Sequence, residues 1–408
     1  MEKDRRLYWI WLQRRLPLGS TVINRLFEYF EDIEGIYAAD KKQLESLELR
    51  RKDITALTDK SLREAAGILE RLRTVNAWVL TPDDARYPDT LRNIAGFPAA
   101  LYVQGVFPDL NTLPAVAVVS TRKISDDGAK TTFCLSAGLA AAGMIVVSGG
   151  ARGGDAAAHE GAVYANGKTV LVKAAAPEVE YPPENKRLRR EIIAGRGAVV
   201  TEYPPGSEEK CDYHVRNRLI AGMCLGALVT EAPMRSGTNI TLNLAREQGR
   251  EVFAMPGSTL DGKHDGTHHQ IRQGATLVTC AKQVVEEYVG RYPGLLDAEA
   301  AERVENKCRL AAFAQPQGAH SPKKDASPKK ETEKTTINEL QSCPEGVSTD
   351  AATVFSFMSG EAVAVDDLAK RVGMSAQDLL ILLTELEMFG CIAQSAGQRY
   401  RIKAKGER

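Results

Sequence analysis

The apolar positions of the chain change their period three times. Over residues 1–78 they recur at helical spacing, in LYWIWLQRRL, STVINRLFEYF, DKKQLESL and SLREAAGILERLRTVNAWV, with Ser20 placed as an N-cap. Over 79–290 short apolar runs alternate with helical ones. Strands are predicted at Ala99–Val103, Ala115–Val119, Met144–Val147, Thr169–Val172, Ala198–Val200, Ala227–Thr230, Glu251–Ala254 and Thr276–Val278. Between them lie helical runs such as TTFCLSAGLAAAG, GDAAAHEGAVYANG, NKRLRREIIAG and TNITLNLAREQG, each closing at a glycine as a helix C-cap requires. This alternation predicts an α/β fold, a doubly wound parallel sheet. Residues 291–346, including SPKKDASPKKETEKTTINE, are polar and predict a flexible linker. In 347–408 three helical stretches, ATVFSFMS, VDDLAKRVG and AQDLLILLTELEMFG, precede a hairpin, CIAQSAGQRYRI, which is the order of a winged helix.

Length and composition narrow the class. The chain has 408 residues, 43% of them hydrophobic, enough for two or three domains with sizeable cores. No apolar run approaches the ~20 residues that span a bilayer. The start, MEKDRRLYWIWLQRR, lacks a signal-peptide cleavage site, so a cytoplasmic protein without a membrane partner is expected. Seven cysteines without a CxxC pair read as reduced, structural thiols. The 53 basic and 53 acidic residues cancel, so any polyanion site must come from local clustering. Tyr181 to Arg250 holds eleven Lys or Arg against eight acids.

The candidate chemistry lies where predicted strands hand over to helices. VAVVSTRK, with Ser120, Arg122 and Lys123, and IVVSGGARGGDAAAHEGA, with Gly149 and Arg152, each run from a buried strand through small residues into an Ala-rich helix. There backbone N–H groups, a helix N-terminus and an arginine fork can receive phosphate. An ordinary salt-bridge arginine is the alternative for either loop. YPPEN with Asn185 and the following Lys186, YHVRNRLIAG with Arg216, Asn217 and Arg218, and TEAPMRSGTNIT with Arg235 fall at the same sheet edge. Tyr181, Tyr203 and Tyr213 add rings on which bases could stack, so the edge reads as an anionic-ligand surface longer than one mononucleotide.

Other chemistries are weaker. Gly149 to Gly154 reads GxAxxG and the next strand runs into Lys173 where an acid is needed, so no NAD cofactor is expected, and no P-loop motif occurs. Asp155 and His159 share a helix face but lack a nucleophile elbow, and a structural histidine is the favoured reading. His264, His268 and His269 lie in a Gly-rich segment, DGKHDGTHHQ, read as a mobile loop and not as a metal site. In the last predicted helix Asp378, Glu385 and Glu387 stand without Lys or Arg, which disfavours a major-groove reader and favours a protein-binding or accessory module. The turn in LPLGSTVINRLFEYF loosely resembles a helix-hairpin-helix, with a packed helical appendage as the alternative.

RYPDTLRNIAGFPAALYVQG, STRK, SGGARGGDAAAHEGA, YPPEN, TEYPPG, VRNRLIAG, EAPMRSGTNIT, AREQGREVFAMPGS and QIRQGATLV together resemble, in order and spacing, the DprA/Smf DNA-processing proteins. The resemblance implies an extended Rossmann-like domain flanked by a helical SAM-like module and a winged helix. It implies a non-enzymatic homodimer that binds single-stranded DNA and loads RecA recombinase during natural transformation, with single-strand binding protein as a further partner. Its DNA contacts map to Arg122, Lys186, Arg216, Asn217 and Arg218. Departures are Ser120-Thr121 for the usual Gly-Ser, Gly150 and Gly154 where an apolar residue is usual, and GTHHQ. The rival reading is a nucleotide-processing enzyme of the lysine-decarboxylase-like Rossmann group. EAPMRSGTNIT lacks that group's paired glycines and following glutamate.

Overall fold

A computed structural model describes residues 4–314, save 196 and 210, and most of 349–403. It divides into two compact units, 1–314 and 315–408.

Six helices open the first unit: α1 (Arg6–Arg15), α2 (Val22–Tyr29), α3 (Ile33–Ala38), α4 (Lys41–Glu45), α5 (Arg51–Thr58) and α6 (Arg63–Thr74). α1 is buried from Tyr8 to Gln13, because the other helices and the sheet close around it. Gln13 joins the layers: its Nε2 donates to the carbonyls of Ala100 (2.7 Å) and Glu202 (3.1 Å), and its Oε1 accepts from the Tyr102 hydroxyl (2.6 Å). The helical module is thus part of the core unit. Ser20 is not the cap of α2; Thr21 holds that position without a side-chain bond. Gly19, at φ +74°, presses against the Gly96 backbone and the Arg218 side chain, so the hairpin turn packs inward on at least one side.

The sheet contains β1 (Trp78–Leu80), then after α7 (Asp89–Arg92) the strands β2 (Leu101–Gly105) and β3 (Ala115–Val119). Next come α8 (Asp126–Ala141), β4 (Ile145–Ser148), α9 (Gly154–Tyr164), β5 (Thr169–Lys173), α10 (Lys186–Ala194) and β6 (Ala198–Thr201). α11 (Tyr213–Gly222), β7 (Gly226–Val229), α12 (Thr238–Glu247), β8 (Glu251–Ala254), α13 (Asp265–Arg272), β9 (Thr276–Leu277) and α14 (Ala281–Val289) complete it. The order is β1-β2-β6-β5-β4-β3-β7-β8-β9. From β6 to β9 all pairs are parallel, whereas β2 runs antiparallel to β6 and β1 to β2. The wholly parallel expectation is corrected at that edge, and β1 lies inside a segment read as helical.

β3 shows why such strands read as continuous apolar runs. Ala115, Ala117 and Val119 enter one core and Val116 and Val118 the other. Burying each valine contributes about 1.5–3 kcal/mol relative to exposure. The helix ends are less uniform than expected: Gly143 (φ +97°) and Gly249 (φ +68°) close α8 and α12, but after α9 the left-handed residue is Asn166, ahead of Gly167.

Two further expectations are overturned. Residues 298–314, placed in the linker, form α15 (Ala298–Ala314), with Ala301, Glu305 and Cys308 buried. Gly138 of α8 permits the approach, since a Cβ there would stand 2.9 Å from the Ala301 carbonyl. Glu305 accepts from the N–H of Ala281 (2.7 Å) at the start of α14. The rest of the linker, 315–346, lies outside the described residues. The histidine segment is a loop only over 261–264, which includes His264; His268 and His269 stand on the helix Asp265–Arg272.

The second unit has α16 (Thr349–Ser356), β10 (Val363–Ala364), α17 (Val365–Val372) and the hairpin β11 (Ile392–Ser395) and β12 (Arg399–Ile402), in sheet order β10-β12-β11. The helical and hairpin parts around a common core of Val354, Leu368, Leu383 and Ile392 are those of a winged helix. Asp378 and Glu385 lie outside the described residues; Glu387 is exposed.

Candidate nucleic-acid interface

In an open α/β sheet the anion site is expected at the switch point, here between the C-terminal ends of β3 and β7, facing the N-terminus of α8. That place is already filled. Glu231, at the end of β7 and fully buried, accepts from the Ser125 N–H (3.0 Å) and hydroxyl (2.5 Å), placing its carboxylate on the first turn of α8. Its backbone carbonyl takes the Thr121 N–H (2.9 Å) and the Ser120 hydroxyl (2.9 Å). Ser120 is therefore a stitch between loops and not a phosphate contact.

The open space lies one step along the sheet. A cleft of about 330 Å³ over the ends of β3, β4 and β5 is lined by Arg122, Lys123, Gly149, Arg152, Tyr181 and Tyr213, among others, with Arg216 also in its wall. Arg122 and Lys123 are exposed and form no ion pair among the described residues. The Arg122 guanidinium sits 4.7 Å from the Tyr213 ring centroid, and that of Arg216 5.7 Å from it.

Arg216 reaches beneath the cleft from α11. It donates to the carbonyls of Gly149 and Val172, both at 2.5 Å, and to Oδ1 of Asn217 at 3.1 Å. Glycine at 149 makes room for this, because a Cβ would stand 2.3 Å from the Arg216 Nη1 and would displace the guanidinium. Burial pushes the guanidinium pKa down, with Asp155 opposing; burial likewise raises the Asp155 carboxyl, opposed by Arg216. The pair leaves a partly compensated positive floor under Arg122.

Asn185, buried, donates to the carbonyls of Gly150 and Ala151, both at 3.1 Å, and so pins the β4 loop. Lys173, missed as a site residue, donates to three carbonyls of the next loop, those of Ala176 (2.9 Å), Pro177 (2.9 Å) and Val179 (2.6 Å). Burial pushes its pKa down to about 8. The signal in the sequence was a lysine ending an apolar strand. Tyr181 is exposed, but Tyr203 is buried with its hydroxyl accepting the Asp212 N–H (2.9 Å), so it offers no stacking face.

The remaining predicted residues separate. Arg152 and Lys186 are exposed yet paired, with Glu184 (2.6 Å) and Glu180 (3.0 Å). Arg235 is exposed on the β7 loop, outside the cleft lining, without an ion pair among the described residues. Asn217 is buried, its Oδ1 taken by Arg216. Arg218 is 7% exposed and its Nη2 donates to both Glu202 oxygens, at 2.7 and 2.6 Å, so the expected phosphate contact there is corrected to a buried ion pair. Asp155 and His159 form no pair either: Asp155 accepts the Ala151 N–H, while His159 Nδ1 meets the Thr169 hydroxyl at 2.7 Å. Two departures from the family pattern prove to be one, since a Cβ on Gly154 would stand 2.0 Å from that of Ser120.

Among the described residues there is no cluster of three metal-ligating side chains, no disulfide, and no helix long and apolar enough to cross a membrane.

Fold and site together define a Rossmann-like α/β protein with a cationic cleft at its parallel strand ends and a winged-helix domain. Residues 78–289 match the family described as DNA recombination-mediator protein A, and 339–398 match the DprA winged helix domain. The chain belongs to this DNA-processing family. It is 45% identical over 292 residues to the DNA processing protein DprA of Streptococcus pneumoniae, covering 69% of this chain and 98% of that one. With the Smf protein of Synechocystis it shares 29% identity over 407 residues, 98% of this chain and all of the relative. The X-ray structure of the S. pneumoniae protein superposes with a TM-score of 0.60 at 34% identity, over 69% of this chain and 97% of that one.

Proposed function

We propose that the protein is a non-enzymatic, cytoplasmic mediator of recombination that binds single-stranded DNA in the cleft and hands it to RecA recombinase. The observation that carries this is the pair of exposed, carboxylate-free cations, Arg122 and Lys123, beside the Tyr181 and Tyr213 rings. Backbone phosphates meet Arg122 and Lys123, and a base stacks on Tyr181. Arg216, Asn185 and Gly149 hold the loops that aim these groups. Strand ends β5, β4, β3 and β7 are neighbours, so at ~4.8 Å per strand the edge from Tyr181 to Arg235 extends roughly 14 Å, beyond one mononucleotide. Arg152 and Lys186 would join by exchanging their glutamates for phosphate. Homodimerisation, a contact with single-strand binding protein and use in natural transformation belong to this reading and rest on the family.

Arg122→Ala with Lys123→Ala is expected to weaken oligo-dT binding about tenfold or more and to reduce the salt slope by about 1.4, since each lost phosphate contact on single strands removes about 0.7. Fluorescence anisotropy over a salt series measures both quantities. An unchanged midpoint and slope would sink the proposal, and sedimentation of the same samples reports the dimer.

A further inference from the structure

A second groove, of about 570 Å³, is bordered by the loop that follows β6. One wall is the turn Pro204–Ser207 and the other is the surface of α1 and α6. Cys211 and Tyr213, a few residues further along the chain, line the first cleft, so this stretch of chain contributes to both depressions.

Four arginines line this groove, and they are of two kinds. Arg14 is held by Glu64 (2.8 Å) and Glu209 (2.5 Å), and Arg15 by Asp59 (2.8 Å), so these build the wall. Arg63 and Arg71 are exposed and form no ion pair among the described residues. Arg71 lies across the turn: a Cβ on Gly206, which has φ +77°, would stand 2.5 Å from its Nη1. An unpaired guanidinium thereby lies over a backbone conformation that favours glycine.

Gly67 is the second, independent observation. It stands one helical turn from Arg63 and one from Arg71, on the groove face of α6, where glycine costs helix stability. Packing does not demand it, since a Cβ there would meet nothing within 4 Å. What its bare backbone provides is an open floor between two free arginines, the condition for close approach of a ligand chain.

We propose that this groove carries the continuation of the DNA strand as it leaves the first cleft past the loop after β6, with Arg63 and Arg71, about 12 Å apart along α6, on non-adjacent phosphates. The proposal rests on the cleft reading and extends it to the N-terminal helices. A short strand fills the cleft alone, whereas a long one uses both.

The test uses the full chain with oligo-dT of about 6 and about 30 nucleotides, lengths that bracket a single site. Arg63→Ala with Arg71→Ala should leave the short oligonucleotide within twofold of the parent and weaken the long one about tenfold, with a salt slope lower by about 1.4. Gly67→Leu, which fills the floor without altering charge, should also weaken the long strand alone. Unchanged long-strand affinity in both variants, or equal losses on both lengths, would overturn the groove. Arg122→Ala with Lys123→Ala run alongside tells the two readings apart: it weakens both lengths if the cleft binds DNA and neither if it does not.

Discussion

Replacing Arg218 by alanine is expected to destabilise the protein by about 3–5 kcal/mol, the usual result of stranding one partner of a buried ion pair. Glu202 is 4% exposed and Arg218 7%, and the charge is not screened by water. Burial raises the Glu202 carboxyl pKa and Arg218 opposes that shift, so without the arginine the carboxyl must bind a proton to remain buried. The variant should therefore regain stability as the pH falls towards the raised pKa, because the folded state then holds the proton more tightly than the unfolded one. Urea unfolding at pH 7 and pH 5 measures this. Glu202→Gln in the Arg218→Ala background should recover part of the loss. A stable Arg218→Ala variant with weakened DNA binding would instead restore the phosphate role that burial argues against.

Acid should unfold the protein through His159. The ring is fully buried and its pKa is pushed down to about 3 by burial, from an ordinary value of 6.5. The Thr169 hydroxyl donates to the Val146 carbonyl (2.7 Å), so it is His159 Nδ1–H that donates to the Thr169 oxygen, while Nε2 is buried without a hydrogen-bond partner. Below pH 6.5 the unfolded chain takes up a proton that the folded chain refuses. Stability is thus complete above 6.5 and falls by about 1.4 kcal/mol per pH unit as the pH drops towards 3, on the order of 5 kcal/mol in all. Asp155 and Glu202, with raised pKa values, work in the opposite direction, so the histidine is read from the difference in slope between the parent and a His159 variant. His159→Asn should remove the histidine's share of the slope below pH 6.5 in denaturant unfolding. A slope shared by parent and variant would assign the acid sensitivity elsewhere.

Much of the fold was legible because burial on both faces leaves an apolar run that little else explains, as in Ala115–Val119 and Thr169–Val172. Strand direction was not, since an apolar run carries no arrow; β2 reads like β5 yet runs antiparallel to its neighbour. α15 was hidden by composition. Its buried face is made of Ala301, Glu305 and Cys308, small or polar residues that satisfy each other only against α8 and α14.

The candidate site divides in the same way. Residue types and order along the chain determined by themselves the family, the alternation of strands and helices, and the edge at which the Gly-rich and Arg-bearing loops collect, because these depend on periodicity and local backbone needs. Which arginines are free was decided by the tertiary structure alone. Arg122, Arg216 and Arg218 look alike in the chain, yet one is exposed over Tyr213, one supports the cleft from below and one is closed against Glu202. Burial and the position of a distant carboxylate settle whether a guanidinium meets solvent, and both arise only when segments far apart in the chain are brought together.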